Sequence, residues 1–191
     1  MKRICGWIGG GLTVLALAGC QPAATPPPPA ATNAPAPGAA APAPPVAVVD
    51  PRIPTQAQGR LQTLKLWVGP KPMVAELALT PLQQQTGMMF RTNMDENEGM
   101  LFPSAYPEQK SFWMMNTRVP LSLAYIDPNG AILEIHDLQP FDTNSVPSAS
   151  ANVQYVLETP QGWFQKNGVG PGMVVSSEHG PFAKVFFPIK R

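Results

Sequence analysis

The chain has 191 residues, with 13 Lys and Arg against 12 Asp and Glu. Residues 60–191 carry ten Lys/Arg and 11 Asp/Glu, so the stretch able to build a core has a net charge of −1. That leaves one domain's length of foldable chain and excludes both a two-domain enzyme and nucleic-acid binding driven by basic charge.

Residues 1–19 read as a signal peptide. Lys2 and Arg3 precede an uncharged apolar run, Ile4 to Ala18, which is shorter than the ~20 residues that span a bilayer. The run exits through Leu17-Ala18-Gly19-Cys20, which resembles the bacterial lipobox. The resemblance implies cleavage before Cys20 and lipid on its thiol. A diacylated cysteine supplies the two chains that stable anchoring needs. Cys5 leaves with the leader, so the mature chain keeps no free thiol for a disulfide or a nucleophile. Gln21, where Asp would resemble an inner-membrane retention signal, points to the outer membrane. The expected location is the periplasm, with the membrane as partner through lipidated Cys20.

Residues 20–59 form the lipidated N-terminus and a linker. Positions 21–59 hold 12 Pro and 12 Ala and almost no large apolar side chains. Such a stretch cannot form a core, and its proline runs favour an extended chain of about 3.1 Å per residue. It reads as a disordered tether reaching at most ~120 Å.

From residue 60 the hydrophobic period is mostly two. Leu64, Leu66 and Val68 alternate with Lys65 and Trp67; after Gly69-Pro70-Lys71-Pro72, Met73, Ala75, Leu77 and Leu79 alternate with Val74, Glu76 and Ala78. These are two strands. Thr80-Pro81-Leu82-Gln83 then offers an N-cap, a first-turn proline and a capping-box partner, and Gly87 suits the C-cap, predicting a helix over 81–86. Short strands follow at 100–102, 111–116, 121–127, 131–138 and 153–159. A helical turn is expected within 160–167. Met173–Ser176 and Phe182–Phe187 read as a closing hairpin.

Pro128-Asn129-Gly130 predicts a three-residue hairpin loop. That register pairs Tyr125 with Leu133, Leu123 with Ile135, Ser122 with His136 and Ala124 with Glu134. The fold class expected is mainly β: a single compact sandwich or barrel, jelly-roll-like, with one or two short helices.

Four segments carry a family resemblance. They are Gly87-Met88-Met89-Phe90-Arg91; Glu98-Gly99-Met100-Leu101-Phe102; Phe112-Trp113-Met114-Met115-Asn116-Thr117 followed by Pro120-Leu121; and Val156-Leu157-Glu158 followed by Gly162-Trp163. Over about 66–176 the chain resembles the domain-of-unknown-function 192 family. The resemblance implies a compact, mostly β, often exported domain at 60–191 and no established activity. The chain departs from the family pattern at Met115 (usually Lys), Ser122 (usually Asp) and Met173 (often Asp).

Arg91, Asn116 and Thr117 match family positions and offer donors and acceptors that could read a carboxylate, a sugar or a peptide backbone. The competing reading is that they cap strands and satisfy loop carbonyls. Trp113, Trp163, Tyr106 and Tyr155 are either sugar-stacking or core aromatics. Glu158, inside an apolar strand, reads as a buried acceptor for backbone or for Arg91. Ser122, Glu134 and His136 share one face in the expected register. They are either the start of a hydrolase or a solvated polar face, and no Gly-x-Ser-x-Gly elbow accompanies them.

Seven of nine methionines fall between 73 and 115, as core packing or as soft ligands for Cu(I). The favoured reading is a monomeric, non-catalytic binding or accessory module for an envelope saccharide or peptide. It has no catalytic residue, no metal site, no cofactor and no nucleic-acid partner. The alternatives are a hydrolase using Ser122 and His136, and a Met-rich Cu(I)-binding protein.

Overall fold

A computed structural model describes residues 53–186. The expected signal peptide, Cys20 and most of the linker lie outside them. The described residues are mainly β, as expected. Seven strands form one curled sheet, a half-barrel, in the order β6 (Ile132–Leu138), β5 (Leu121–Ile126), β8 (Val153–Pro160), β3 (Glu98–Glu108), β2 (Lys71–Leu77), β1 (Thr63–Val68) and β9 (Val175–Ser177), and a two-stranded ribbon joins β4 (Ser111–Phe112) to β7 (Val146–Pro147).

The first half follows the sequence pattern closely. β1 (Thr63–Val68) and β2 (Lys71–Leu77) pair antiparallel across the Gly69-Pro70 turn. Leu64, Leu66, Val68, Met73, Ala75 and Leu77 all enter one apolar cluster, as their alternation requires. α1 (Pro81–Thr86) is capped as predicted. Gln83 N–H donates to Thr80 Oγ1 at 3.2 Å, and Gln83 Oε1 accepts from Thr80 N–H at 2.9 Å. α1 carries the chain over to β3 (Glu98–Glu108), which therefore runs parallel to β2.

Later elements depart from expectation. β3 is longer than 100–102, while β4 is only Ser111–Phe112, so Trp113 to Asn116 leave the sheet. β5 (Leu121–Ile126), β6 (Ile132–Leu138) and β8 (Val153–Pro160) form where expected, and a short β7 (Val146–Pro147) pairs β4. α2 (Trp163–Lys166) is the expected helical turn.

The closing hairpin is a correction. β9 (Val175–Ser177) pairs β1, and residues 182–185 form a third short helix, α3 (Phe182–Val185). As a helix, Phe182 and Phe186 stack on Tyr155, with ring centroids 4.8 and 5.8 Å away, capping the same cluster that a strand would have left open.

The β5–β6 register is a second correction. The loop forms as expected, with Gly130 at φ 87° and Asp127 N–H on Ala131 O at 2.9 Å. Ile126 faces Ile132, but Tyr125 faces Glu134, so Leu133 is a bulge. One extra residue shifts every later pair. Ser122 thus faces Asp137, Leu123 faces His136 and Ala124 faces Ile135.

Both faces of the sheet are covered. One cluster includes Leu66, Leu101, Tyr155, Leu157 and Phe182; the other includes Met88, Met100, Phe102, Met114, Leu123, Tyr125 and Val156. Bonds between the turn before β6 and the segment entering β9 draw the two sheet edges together. Val175 N–H donates to Gly130 O at 2.7 Å and Ile132 N–H to Met173 O at 2.9 Å.

Candidate functional site

Glu76 on β2 sits opposite Met100 on β3; Met100 sits opposite Glu158 on β8; Glu158 opposite Leu123 on β5; and Leu123 opposite His136 on β6. Pairing opposite residues across the sheet places this row on the face of the second cluster. Two buried carboxyls therefore flank Met100, and the chain treats them differently.

Glu76 is paired. Arg91 Nη1 and Nη2 hold its two oxygens at 2.5 and 2.8 Å, and Leu61 N–H adds a bond at 2.7 Å. Burial pushes the Glu76 pKa up, but the Arg91 and Leu61 hydrogen bonds and the Arg91 and Arg60 charges outweigh it and hold it below the usual carboxylate range. Arg91 is thus a bidentate clamp on Glu76. The expected pairing of Arg91 with Glu158 is corrected: Glu158 lies one strand beyond Met100, and Glu76 lies nearer the loop that carries Arg91.

Glu158 has no such partner. It is 4% exposed, and among the described residues its Oε2 accepts no hydrogen bond. Burial raises its pKa to about 8, so the carboxyl is largely protonated at neutral pH. It lines a cavity of about 190 Å³ together with Gln84, Thr86, Met88, Met89, Phe102, Phe112, Trp113 and Thr117. The walls come from α1 and the turn after it, from β3 and β4, and from the loop that follows β4. Trp113, 42% exposed, marks the solvent side. Phe102 and Phe112 meet edge-to-face at 5.1 Å, and Phe112 in turn meets Tyr125 at 6.3 Å.

The loops that carry this wall hold unusual backbone. Phe90, Asn116 and Phe141 all have positive φ, at 62°, 56° and 62°. For bulky side chains this region is costly, at roughly 1–3 kcal/mol each, and persists only where surrounding bonds impose it. Those bonds are present. Phe90 N–H donates to Asn116 O at 2.8 Å, Phe141 N–H to Thr117 O at 3.1 Å, and Met114 N–H to Asp142 O at 2.7 Å. These bonds tie the three segments to one another, next in sequence to the lining residues Met89 and Thr117.

Of the residues singled out from sequence, Trp113, Thr117 and Glu158 converge on the cavity. Asn116 contributes through its backbone turn. Thr117 Oγ1 donates to Met115 O at 3.2 Å, a local loop bond.

Ser122 and His136 point to opposite faces of the sheet, because the bulge at Leu133 moves them out of register. Ser122 is buried, its hydroxyl donating to Asp137 and accepting Gly162 N–H at 2.8 Å. His136 Nε2 lies 2.9 Å from Glu134 Oε2. The three do not form a nucleophilic constellation. Trp163 and Tyr155 are core, whereas Tyr106 is exposed on the far part of β3. Met73 lies in the first cluster and Met88, Met100 and Met114 in the second, so the sheet divides the methionines between its faces.

Sequence reasoning missed Glu76 as the partner of Arg91. The signal was present: Glu76 alternates with Met73, Ala75 and Leu77, and is a lone carboxyl in an apolar strand, like Glu158. It also missed Met88, Met89, Phe102 and Phe112 as cavity walls, because apolar residues in motifs look the same whether they fill a core or line a pocket.

Residues 65–177 match the model of DUF192, described as Uncharacterized ACR. The chain belongs to this family. Two solved structures share the fold of this DUF192 chain. A candidate transcription regulator from Sinorhizobium meliloti 1021 is 28% identical with a TM-score of 0.60, over 63% of this chain and 98% of that one. A protein of unknown function from Novosphingobium aromaticivorans DSM 12444 is 32% identical with a TM-score of 0.57, over 61% of this chain and 86% of that one. No curated protein matches the chain.

Proposed function

We propose that this DUF192 chain is a lipid-anchored envelope protein and a non-catalytic binding module. Its Glu158 cavity takes one unit of a saccharide or a peptide. A single observation carries the binding reading. Glu158 is a buried carboxyl with an oxygen that no described residue bonds, and it lines a cavity with an aromatic and thioether wall. A buried polar atom costs free energy unless something pairs with it. A ligand supplies the missing partner.

The size narrows the ligand. At about 190 Å³ the cavity is smaller than the roughly 300–1,000 Å³ of drug-sized sites. It suits one sugar ring or one side chain, a terminal unit rather than a polymer segment. Trp113 can stack on such a unit from the solvent side. The lipobox ending at Cys20 and the Pro/Ala stretch support tethering to a membrane, with Gln21 favouring the outer one. The regulator description of the S. meliloti protein is not carried over, since residues 60–191 have no basic excess.

The test is a melting-temperature screen of the full chain in detergent against envelope monosaccharides, amino acids and short peptides. A shift that Trp113→Ala or Glu158→Gln removes supports the reading, and no shift from any of them overturns it. Cys20→Ala addresses the anchor separately. The variant should lose acylation and leave the membrane fraction on a salt wash.

A further inference from the structure

We propose that the group seated at Glu158 is an organic ammonium, on a lysine-like side chain or an amino sugar. The inference rests on the binding-module reading and gives its ligand a charge. Among the described residues lining the cavity, Glu158 is the sole ionisable one. An anion would find no cation there. The remaining lining is aromatic, thioether, amide and hydroxyl, and aromatic faces attract organic cations. A slender alkyl stem fits between Met88, Met89 and Phe102, whose side chains are flexible or flat.

The sheet itself shows what a buried carboxyl in this row requires. Glu76, two strands away on the same face, receives a guanidinium from Arg91 and is held ionised. Among the described residues none supplies Glu158 with a cation, so its cation comes from outside. The charged and titratable groups around it do not replace one. Arg91 is committed to Glu76 on the β2 side. On β5, Tyr125 donates its hydroxyl to Val146 O, and burial, then Glu134 and Glu158, push its pKa well up. On β6, His136 is engaged with Glu134 behind Leu123. The lining segments of α1, β3, β4 and the loop after β4 contribute no ionisable side chain.

Protons follow from this. The carboxyl titrates near 8 without ligand. An entering ammonium favours the carboxylate, so binding at neutral pH expels the Glu158 proton to buffer. Affinity then rises up to about tenfold per pH unit until the carboxyl is already ionised, and levels off above that.

The experiment is calorimetric titration of the full chain in detergent. Nα-acetyl-lysinamide and glucosamine are the ammonium probes. Nα-acetyl-norleucinamide and N-acetylglucosamine are their uncharged counterparts. At least one ammonium should bind while its counterpart does not, and the two arms tell a peptide source from a sugar source. For the lysinamide arm the heat should vary with the ionisation enthalpy of the buffer at pH 7, and the affinity should climb from pH 6 to 8. Glu158→Gln should lose tenfold or more.

Equal binding of the uncharged counterpart, unchanged affinity in Glu158→Gln, or no heat from either ammonium at millimolar concentration overturns the inference. Proton release by the wild-type chain tests it independently of how the variant folds. Binding by an uncharged probe alone rejects the ammonium and leaves the binding module standing. The module falls only if the wider melting screen is also silent.

Discussion

Glu76 and Glu158 stand on either side of Met100 in one row of the sheet, and among the described residues only Glu76 is given a cation, Arg91. The pair divides the labour of two look-alike carboxyls. Glu76 with Arg91 ties the loop after α1 to β2. Glu158 is left for the cavity.

The clamp makes the first prediction. Arg91 and Glu76 side chains are 15% and 8% exposed. Removing one partner of such a buried pair leaves the other charge uncompensated, which costs roughly 3–5 kcal/mol. Arg91→Ala should therefore lower the urea midpoint strongly, and adding Glu76→Gln should recover part of the loss. Arg91→Ala and Glu158→Gln should be nearly additive. Coupling to Glu158 instead of Glu76 would contradict the observed pairing.

The contrast also shows what was legible beforehand. Alternation in Leu64–Val68 and Met73–Leu77 gave both strands and their buried face, and Thr80-Pro81-Gln83 with Gly87 gave α1 to the residue. These signals are local. The Leu133 bulge is not, because it belongs to how β6 pairs with β5, beyond the hairpin loop itself. Nor is the choice of helix for residues 182–185, which is settled by Tyr155. The site was half legible. Trp113, Thr117 and Glu158 were picked out as polar or aromatic residues in unusual places, but which carboxyl Arg91 would meet depends on the parallel β2–β3 register.

Glu158 should leave a signature in stability against pH. Its pKa is raised from 4.5 to about 8 on folding. The native state then binds the proton more tightly than the unfolded chain. Stability from this group is full below the unfolded pKa and is lost as pH rises toward about 8, at up to roughly 1.4 kcal/mol per unit. Glu76 works in the opposite sense, losing its contribution at acid pH, below this window. Melting wild type and Glu158→Gln at pH 5 and pH 9 separates them. The variant should gain on wild type as pH rises. A gap independent of pH would show that Glu158 is not buried uncharged.

Ser122 is expected to be structural. Its hydroxyl bridges Asp137 on β6 and the Gly162 N–H that opens α2. Ser122→Ala leaves that N–H without its acceptor, and a buried unsatisfied donor costs about 1–3 kcal/mol. A fluorophosphonate probe should not label the folded wild-type chain. Stoichiometric labelling lost in Ser122→Ala would restore the hydrolase reading and displace the bulged register.

The half-barrel's closure gives the last prediction. Gly130 has φ 87°, and a Cβ built on it would lie 2.5 Å from Val175 O, a backbone atom that cannot swing aside. Gly172 has φ 86° with nothing within 4 Å of such a Cβ. The two positions share nearly the same backbone strain and differ in what they touch. Alanine at either site meets the positive-φ penalty, of order 1 kcal/mol. Only at Gly130 must it also push β9 away from the β5–β6 turn, breaking the Val175 N–H bond to Gly130 O. Gly130→Ala should therefore lower the denaturation midpoint well beyond Gly172→Ala. Amide exchange should also quicken at Val175 in the first variant and not in the second. Equal midpoints with unchanged exchange at Val175 would mean that the sheet edges do not depend on this contact to stay together.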